Sequence, residues 1–120
     1  TIPNFFENKP KHNISYFDFH VAKWWSKCGA KGSFIKYTED LFRFISKAIS
    51  EGKSVLVHCL AGAHRAGTTG VLCLMHFAKL SLTDALATAK RRRSCINPIG
   101  SLTEFLKSYE SERDLISAHE

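Results

Sequence analysis

A chain of 120 residues, 44% hydrophobic and 12% aromatic, suits one compact domain over residues 1–120 with a modest core and leaves no room for a second. With no run of about 18 apolar residues and no charged-then-apolar leader, neither a membrane span nor a secretory signal is expected, and the expected location is intracellular, cytoplasmic or nuclear. A formal charge of +6 favours anionic partners, and aromatic and basic residues do not interleave in the RNA-binding manner.

In chain order, residues 14–21 alternate, with Phe17, Phe19 and Val21 on one side and Tyr16, Asp18 and His20 on the other, which predicts a strand covered on one face. Trp24, Trp25 and Ser26 follow, and residues 27–33, with Gly29 and Gly32, read as a loop. Residues 37–50 predict a helix, since Leu41, Phe42, Ile45, Ala48 and Ile49 form an apolar stripe, Thr38 can cap it and Gly52 stops it. Val55, Leu56 and Val57 are bulky and uninterrupted, as in a strand buried on both faces.

Residues 65–80 predict a helix that is apolar nearly all round and therefore buried, in which Gly67 and Gly70 allow close approach to a sheet. Ser81 with Asp84, and Ser101 with Glu104, read as capping boxes that open helices to about residues 92 and 112, the last eight residues fraying. Lys90, Arg91, Arg92 and Arg93 close the first of these two helices, where cations complement the dipole; a docking patch for phosphorylated substrates is the other reading.

Between the strand at 55–57 and the helix from 65 lies a loop of small residues. Cys59 stands at its entry and Arg65 at its exit, six residues on. Leu60, Ala61, Gly62, Ala63 and His64 can turn their backbone N–H groups inward around an anion, and the following helix points its positive end at the same place. A helix N-terminus, loop amides and a cation lower a thiol's pKa from roughly 8.5 to roughly 3.5–7.5, leaving a nucleophile at neutral pH. Arg65 would grip two oxygens of a tetrahedral anion with its planar fork. Singly, Cys59 reads as a core cysteine and Arg65 as a helix-start cation; the spacing, Gly62 and the preceding Val-Leu-Val together make the signal specific.

This stretch resembles the cysteine-dependent dual-specificity protein phosphatases, in particular the catalytic domains of the MAP-kinase phosphatases. Further matching segments are Pro3 to Asn8, Trp25-Ser26, Leu74-Met75, Leu80-Ser81-Leu82 with Asp84-Ala85, and Arg93-Ser94-Cys95-Ile96-Asn97-Pro98. The resemblance implies an α/β fold, a phosphotyrosine-phosphatase-like central mostly parallel sheet flanked by helices. Because the family places a strand and a helix ahead of the segment resembling 2–8, it also implies a domain short of its N-terminal part, with a smaller sheet and an exposed edge. It implies Cys59 as nucleophile, Arg65 and the amides of residues 60–65 as the phosphate cradle, and phosphorylated protein rather than nucleic acid as partner. No cofactor and no metal are expected: Cys28, Cys59, Cys73 and Cys95 lack metal-ligand spacing, although Cys73 or Cys95 could trap an oxidised Cys59.

Three positions depart from the family. Its general-acid aspartate, two residues before a tryptophan, is Lys23 here. General acid catalysis contributes about 10² to 10⁴ in rate. Asp18, nearest in sequence among the substitutes that also include His20, Glu39 and Asp40, lies about 16 Å of extended chain from Lys23. Lys23 itself could donate a proton or simply hold phosphate. Ala66 stands where the family has a hydroxyl that bonds the cysteine sulfur, and Ile99 where it has a loop-supporting asparagine, a role Asn97 is placed to take. His58 and His64 read as loop-ordering side chains, with His64 also a candidate cation for multiply phosphorylated ligands. The expectation is a slow phosphatase hydrolysing phosphotyrosine and, less readily, phosphoserine or phosphothreonine. The alternative is a pseudophosphatase that binds phosphate without turnover. Sulfur-transfer or arsenate-reducing chemistry uses similar loops, but the surrounding segments do not resemble those families.

Overall fold

The computed structural model describes residues 14–28, 33–59 and 64–118, apart from the side chains of Trp25 and Lys27. The segment 3–8, the glycine loop at 29–32 and the phosphate-loop residues 60–63 lie outside the described residues. Among the described residues five α-helices carry the fold: α1 (Trp24–Cys28), entered through a 3-10 turn at Val21–Lys23, α2 (Phe34–Ser50), α3 (Arg65–Phe77), α4 (Leu82–Arg92) and α5 (Ser101–Ala118).

The expected mostly parallel sheet is absent from the described residues, none of which lies in a strand. Two runs carry strand patterning without strand pairing. Residues 53–59 are irregular, and Leu56 is 82% exposed where burial on both faces was expected. A strand is held by hydrogen bonds to a neighbour, and no described segment forms a ladder with this one. In residues 14–21 the period-two pattern does identify the inward side. Phe17 meets Phe44 with ring centroids 5.3 Å apart, Phe19 meets Tyr37 at 5.2 Å, and Val21 is buried. The backbone then leaves the extended form: His20, at φ −85° and ψ 62°, makes a tight turn closed by Val21 N–H to the Phe19 carbonyl at 3.0 Å.

α3 sits at the centre, packed against α4 and α5, with Val71, Leu72 and Met75 fully buried. The core adds Leu41, Phe42 and Ile45 from α2, Ala85 and Ala89 from α4, and Leu102, Phe105, Leu106 and Tyr109 from α5. α2 begins four residues before the site of its expected Thr38 cap. Ser33 caps it, accepting from Lys36 N–H, while buried Thr38 bonds back to the carbonyls of Phe34 and Ile35. Gly52 ends the helix at φ +74°, a conformation that costs glycine nothing. Ser81 caps α4 as expected, 3.2 Å from Asp84 N–H. At α5 the start is set instead by Gly100 (φ +55°), whose carbonyl accepts from Thr103 and Glu104 N–H, and the helix runs past residue 112 to Ala118.

α5 also finishes the ends of three other helices. Glu112 accepts from Ser33 Oγ at 2.5 Å and Phe34 N–H at 2.7 Å at the start of α2. Glu110 accepts from Leu82 N–H at 2.6 Å at the start of α4. Arg113 Nη1 donates to the carbonyls of Met75 (3.0 Å) and Leu80 (2.9 Å) where α3 ends. Helix starts leave amides without partners and helix ends leave carbonyls; carboxylates and a guanidinium supply what each lacks. No helix among the described residues is long and apolar enough to cross a membrane.

His76, near the end of α3, stacks on Phe42 with centroids 3.8 Å apart and planes 3° from parallel. Burial first, then the charges of Lys79 and Arg113, hold its pKa below the usual 6.5. The unfolded chain therefore takes up this proton more readily than the folded one. The stabilisation is whole above about pH 6.5 and is lost as pH falls through that value toward the folded pKa. Urea midpoints are expected to drop between about pH 7.5 and 5.5, and His76→Gln is expected to flatten that drop.

Candidate active site

The site forms where the irregular run 53–59 delivers Cys59 to the start of α3. The backbone N–H of Ala66 donates to Cys59 Sγ at 3.3 Å, and Cys59 is half-buried. An amide at a helix start, backed by the helix dipole, favours a thiolate over a thiol. Three hydroxyl-bearing or small residues then set the first turn. Thr68 Oγ1 bonds the His64 carbonyl at 2.6 Å and Thr69 Oγ1 the Arg65 carbonyl at 3.2 Å, so both hydroxyls are turned back along the helix. Gly67 touches no sheet: a Cβ there would lie 3.0 Å from Ile96 Cγ2, so glycine is what lets the α4–α5 connection close against α3. Gly70 has open space in place of the expected sheet contact.

The same connection holds His64. Its Nδ1 lies 2.6 Å from the Asn97 carbonyl, a group that only accepts, so the ring proton is on Nδ1. Asn97 thus supports the loop through its backbone. Arg65 is exposed, and its guanidinium makes no ion pair or hydrogen bond to a described residue. Cys59, His64, Arg65, Ala66 and Asn97 are therefore brought together around one helix start. Asp18 is exposed on the stretch ahead of the 3-10 turn, Lys23 is exposed at the end of that turn, and His58 is exposed beside Cys59.

The other thiols differ in kind. Cys73 lies two helical turns beyond Ala66, and burial pushes its thiol up to about 11. Burial and then the Glu112 charge raise Cys28. Cys95 is exposed, and Arg93 Nε donates to its sulfur at 3.0 Å. Among the described residues no cluster of three His, Cys, Asp or Glu side chains is placed to hold a metal. Sequence reasoning missed Ile96 as a wall of the site; a glycine one turn into an otherwise bulky helix was the available signal.

A sequence model described as the dual specificity phosphatase catalytic domain matches residues 2–112. Human Dual specificity protein phosphatase 9 is 35% identical over 115 residues, covering 92% of this chain and 28% of that protein. Protein phosphatase Slingshot of Drosophila melanogaster is 32% identical over 119 residues, covering 99% of this chain and 10% of that protein. Human Dual specificity protein phosphatase 7 is 34% identical over 108 residues, covering 87% and 24%. The chain spans between about a tenth and somewhat over a quarter of the length of these relatives.

Proposed function

We propose that this chain, which belongs to the dual specificity phosphatase catalytic-domain family, hydrolyses phosphorylated protein side chains through a phosphocysteine intermediate on Cys59. The observation that carries the reading is the Ala66 N–H at 3.3 Å from Cys59 Sγ, at the head of a helix that also carries Arg65. Cys59 attacks phosphorus, the side-chain oxygen leaves, and water then releases phosphate and regenerates the thiolate. Arg65 and the amides of residues 60–65 hold the three equatorial oxygens over which the negative charge is spread in each transition state.

Lys23 in the place of the family's acid makes the first step depend on the leaving group. A tyrosyl oxygen, with a parent pKa near 10, departs unassisted far more readily than an alkoxide, so phosphotyrosine is the favoured substrate. Water attack lacks the matching base, and Ala66 lacks the hydroxyl that eases sulfur's departure, so the intermediate should accumulate. The same two residues favour a second reading, a module that captures phosphorylated side chains without turning them over. An intracellular setting, cytoplasmic or nuclear, accompanies either reading, since it keeps the thiol reduced.

Rapid mixing with p-nitrophenyl phosphate, whose leaving group needs no acid, tests the proposal. A burst of nitrophenol stoichiometric with protein, followed by a slow steady phase, is expected. Tight phosphate binding with neither phase would leave the binding module and refute catalysis.

A further inference from the structure

We propose that the end of α4 and the connection after it form a docking surface for an anionic lipid membrane. Lys90, Arg91, Arg92 and Arg93 follow one another and all four are exposed. Successive helical residues are about 100° apart, so these side chains fan around the helix end and do not converge on one point. Arg91 Nη2 donates to Thr88 Oγ1 at 3.2 Å and Arg93 Nε to Cys95 Sγ at 3.0 Å; Lys90 and Arg92 make no bond to a described residue. The carboxylates paired elsewhere, on Arg43, Lys53, Lys107 and Arg113, neutralise none of the four.

The four cations complement the dipole at the end of α4, but they do not close it by hydrogen bonds: the carbonyl of Ala89 accepts from the backbone N–H of Arg93 at 2.9 Å, and neither arginine side-chain bond goes to an α4 carbonyl. On the same connection Ile99 is 51% exposed. Two converging cations suit a single phosphate; four diverging ones with an apolar side chain nearby suit a plane of anionic headgroups into which that side chain dips. An acidic peptide is the lesser fit, because among the described residues the groove between α2 and α5, and the one beside it that His76 and Lys79 also line, include neither the basic run nor the connection. Since Ile96 rests on Gly67 and the Asn97 carbonyl on His64, membrane docked here lies beside the segment that walls the Cys59 site.

The test is co-sedimentation of the 120-residue protein with vesicles of phosphatidylcholine alone or with about 30% phosphatidylserine. Binding is expected only to the anionic vesicles and should weaken as salt rises from about 0.1 to 0.5 M. K90Q/R92Q should weaken it about 30-fold, each cation contributing roughly fivefold, with an unchanged helical circular-dichroism spectrum. K36Q/K47Q removes the same charge from exposed positions on α2 and should keep most of the binding. Ile99→Ser should weaken binding without changing charge. No binding to anionic vesicles, or equal losses in the two double variants, would overturn the proposal. Binding of polyglutamate without binding of vesicles would overturn it in favour of an acidic protein partner.

Discussion

Ala66→Ser and Cys59→Ser are expected to move p-nitrophenyl phosphate turnover in opposite directions. Sulfur already accepts a bond from the Ala66 N–H at 3.3 Å. A serine hydroxyl at the same position would add another as the thiolate re-forms. A hydrogen bond to a charged group contributes about 1.5–3 kcal/mol, which raises the steady rate by roughly one to two orders of magnitude. The rate of intermediate formation should not change, because that step does not use the hydroxyl, while the burst amplitude should shrink as breakdown approaches formation in rate. Cys59→Ser should lower both phases by about 10³-fold or more, to background, since an alcohol at neutral pH lacks the nucleophilicity of a thiolate. An Ala66→Ser protein with an unaltered steady phase would show that the missing hydroxyl does not limit breakdown.

Arg113→Met should produce a large loss of stability at a position remote from Cys59. The Arg113 side chain is 22% exposed and its Nη1 serves the Met75 and Leu80 carbonyls at 3.0 and 2.9 Å. Methionine keeps much of the stem's packing but leaves both carbonyls without that donor. It also takes a cation 4.0 Å away from Glu110, whose carboxylate is engaged with the start of α4. Two charge-assisted bonds at a partly exposed site set the expected cost at about 2–4 kcal/mol, a large share of a small domain's stability. Thermal unfolding followed by circular dichroism should show a midpoint lower by roughly 10 °C. Asp114→Asn is the contrast: that carboxylate is 64% exposed, and its bond to Arg113 Nε should contribute less than about 0.5 kcal/mol. Equal midpoints for Arg113→Met and the unaltered protein would mean that other groups close the end of α3.

The helices were legible because their signals are local. The apolar stripe of α2, Ser81 ahead of α4 and Gly52 after α2 each act within a turn or two of themselves. The sheet was misread because a strand is a relation between segments: Val55, Leu56 and Val57 carry the pattern, but the pattern cannot supply the neighbour. The segment 14–21 shows the same division, since its alternation identified which rings face α2 and said nothing of pairing. At the site, the Cys59 and Arg65 spacing led to the start of α3, whereas the Gly67–Ile96 contact and the His64–Asn97 bond join residues about thirty apart and leave no local trace. The roles of Glu110, Glu112 and Arg113 on α5 left no local trace for the same reason. Their partners are helix ends far away in sequence, and helix ends attract whichever charge is carried to them.

That arrangement bears on how the polypeptide is made. A nascent chain is made at roughly 5–20 residues per second from its N-terminus, so α2, α3 and α4 are synthesised before Glu110, Glu112 and Arg113 exist. Until then the starts of α2 and α4 and the end of α3 lack the groups that complete them in the finished fold. Closure of these helices is thereby deferred to α5, and a ribosome stalled before residue 110 would carry a chain whose helices are written but not yet fastened.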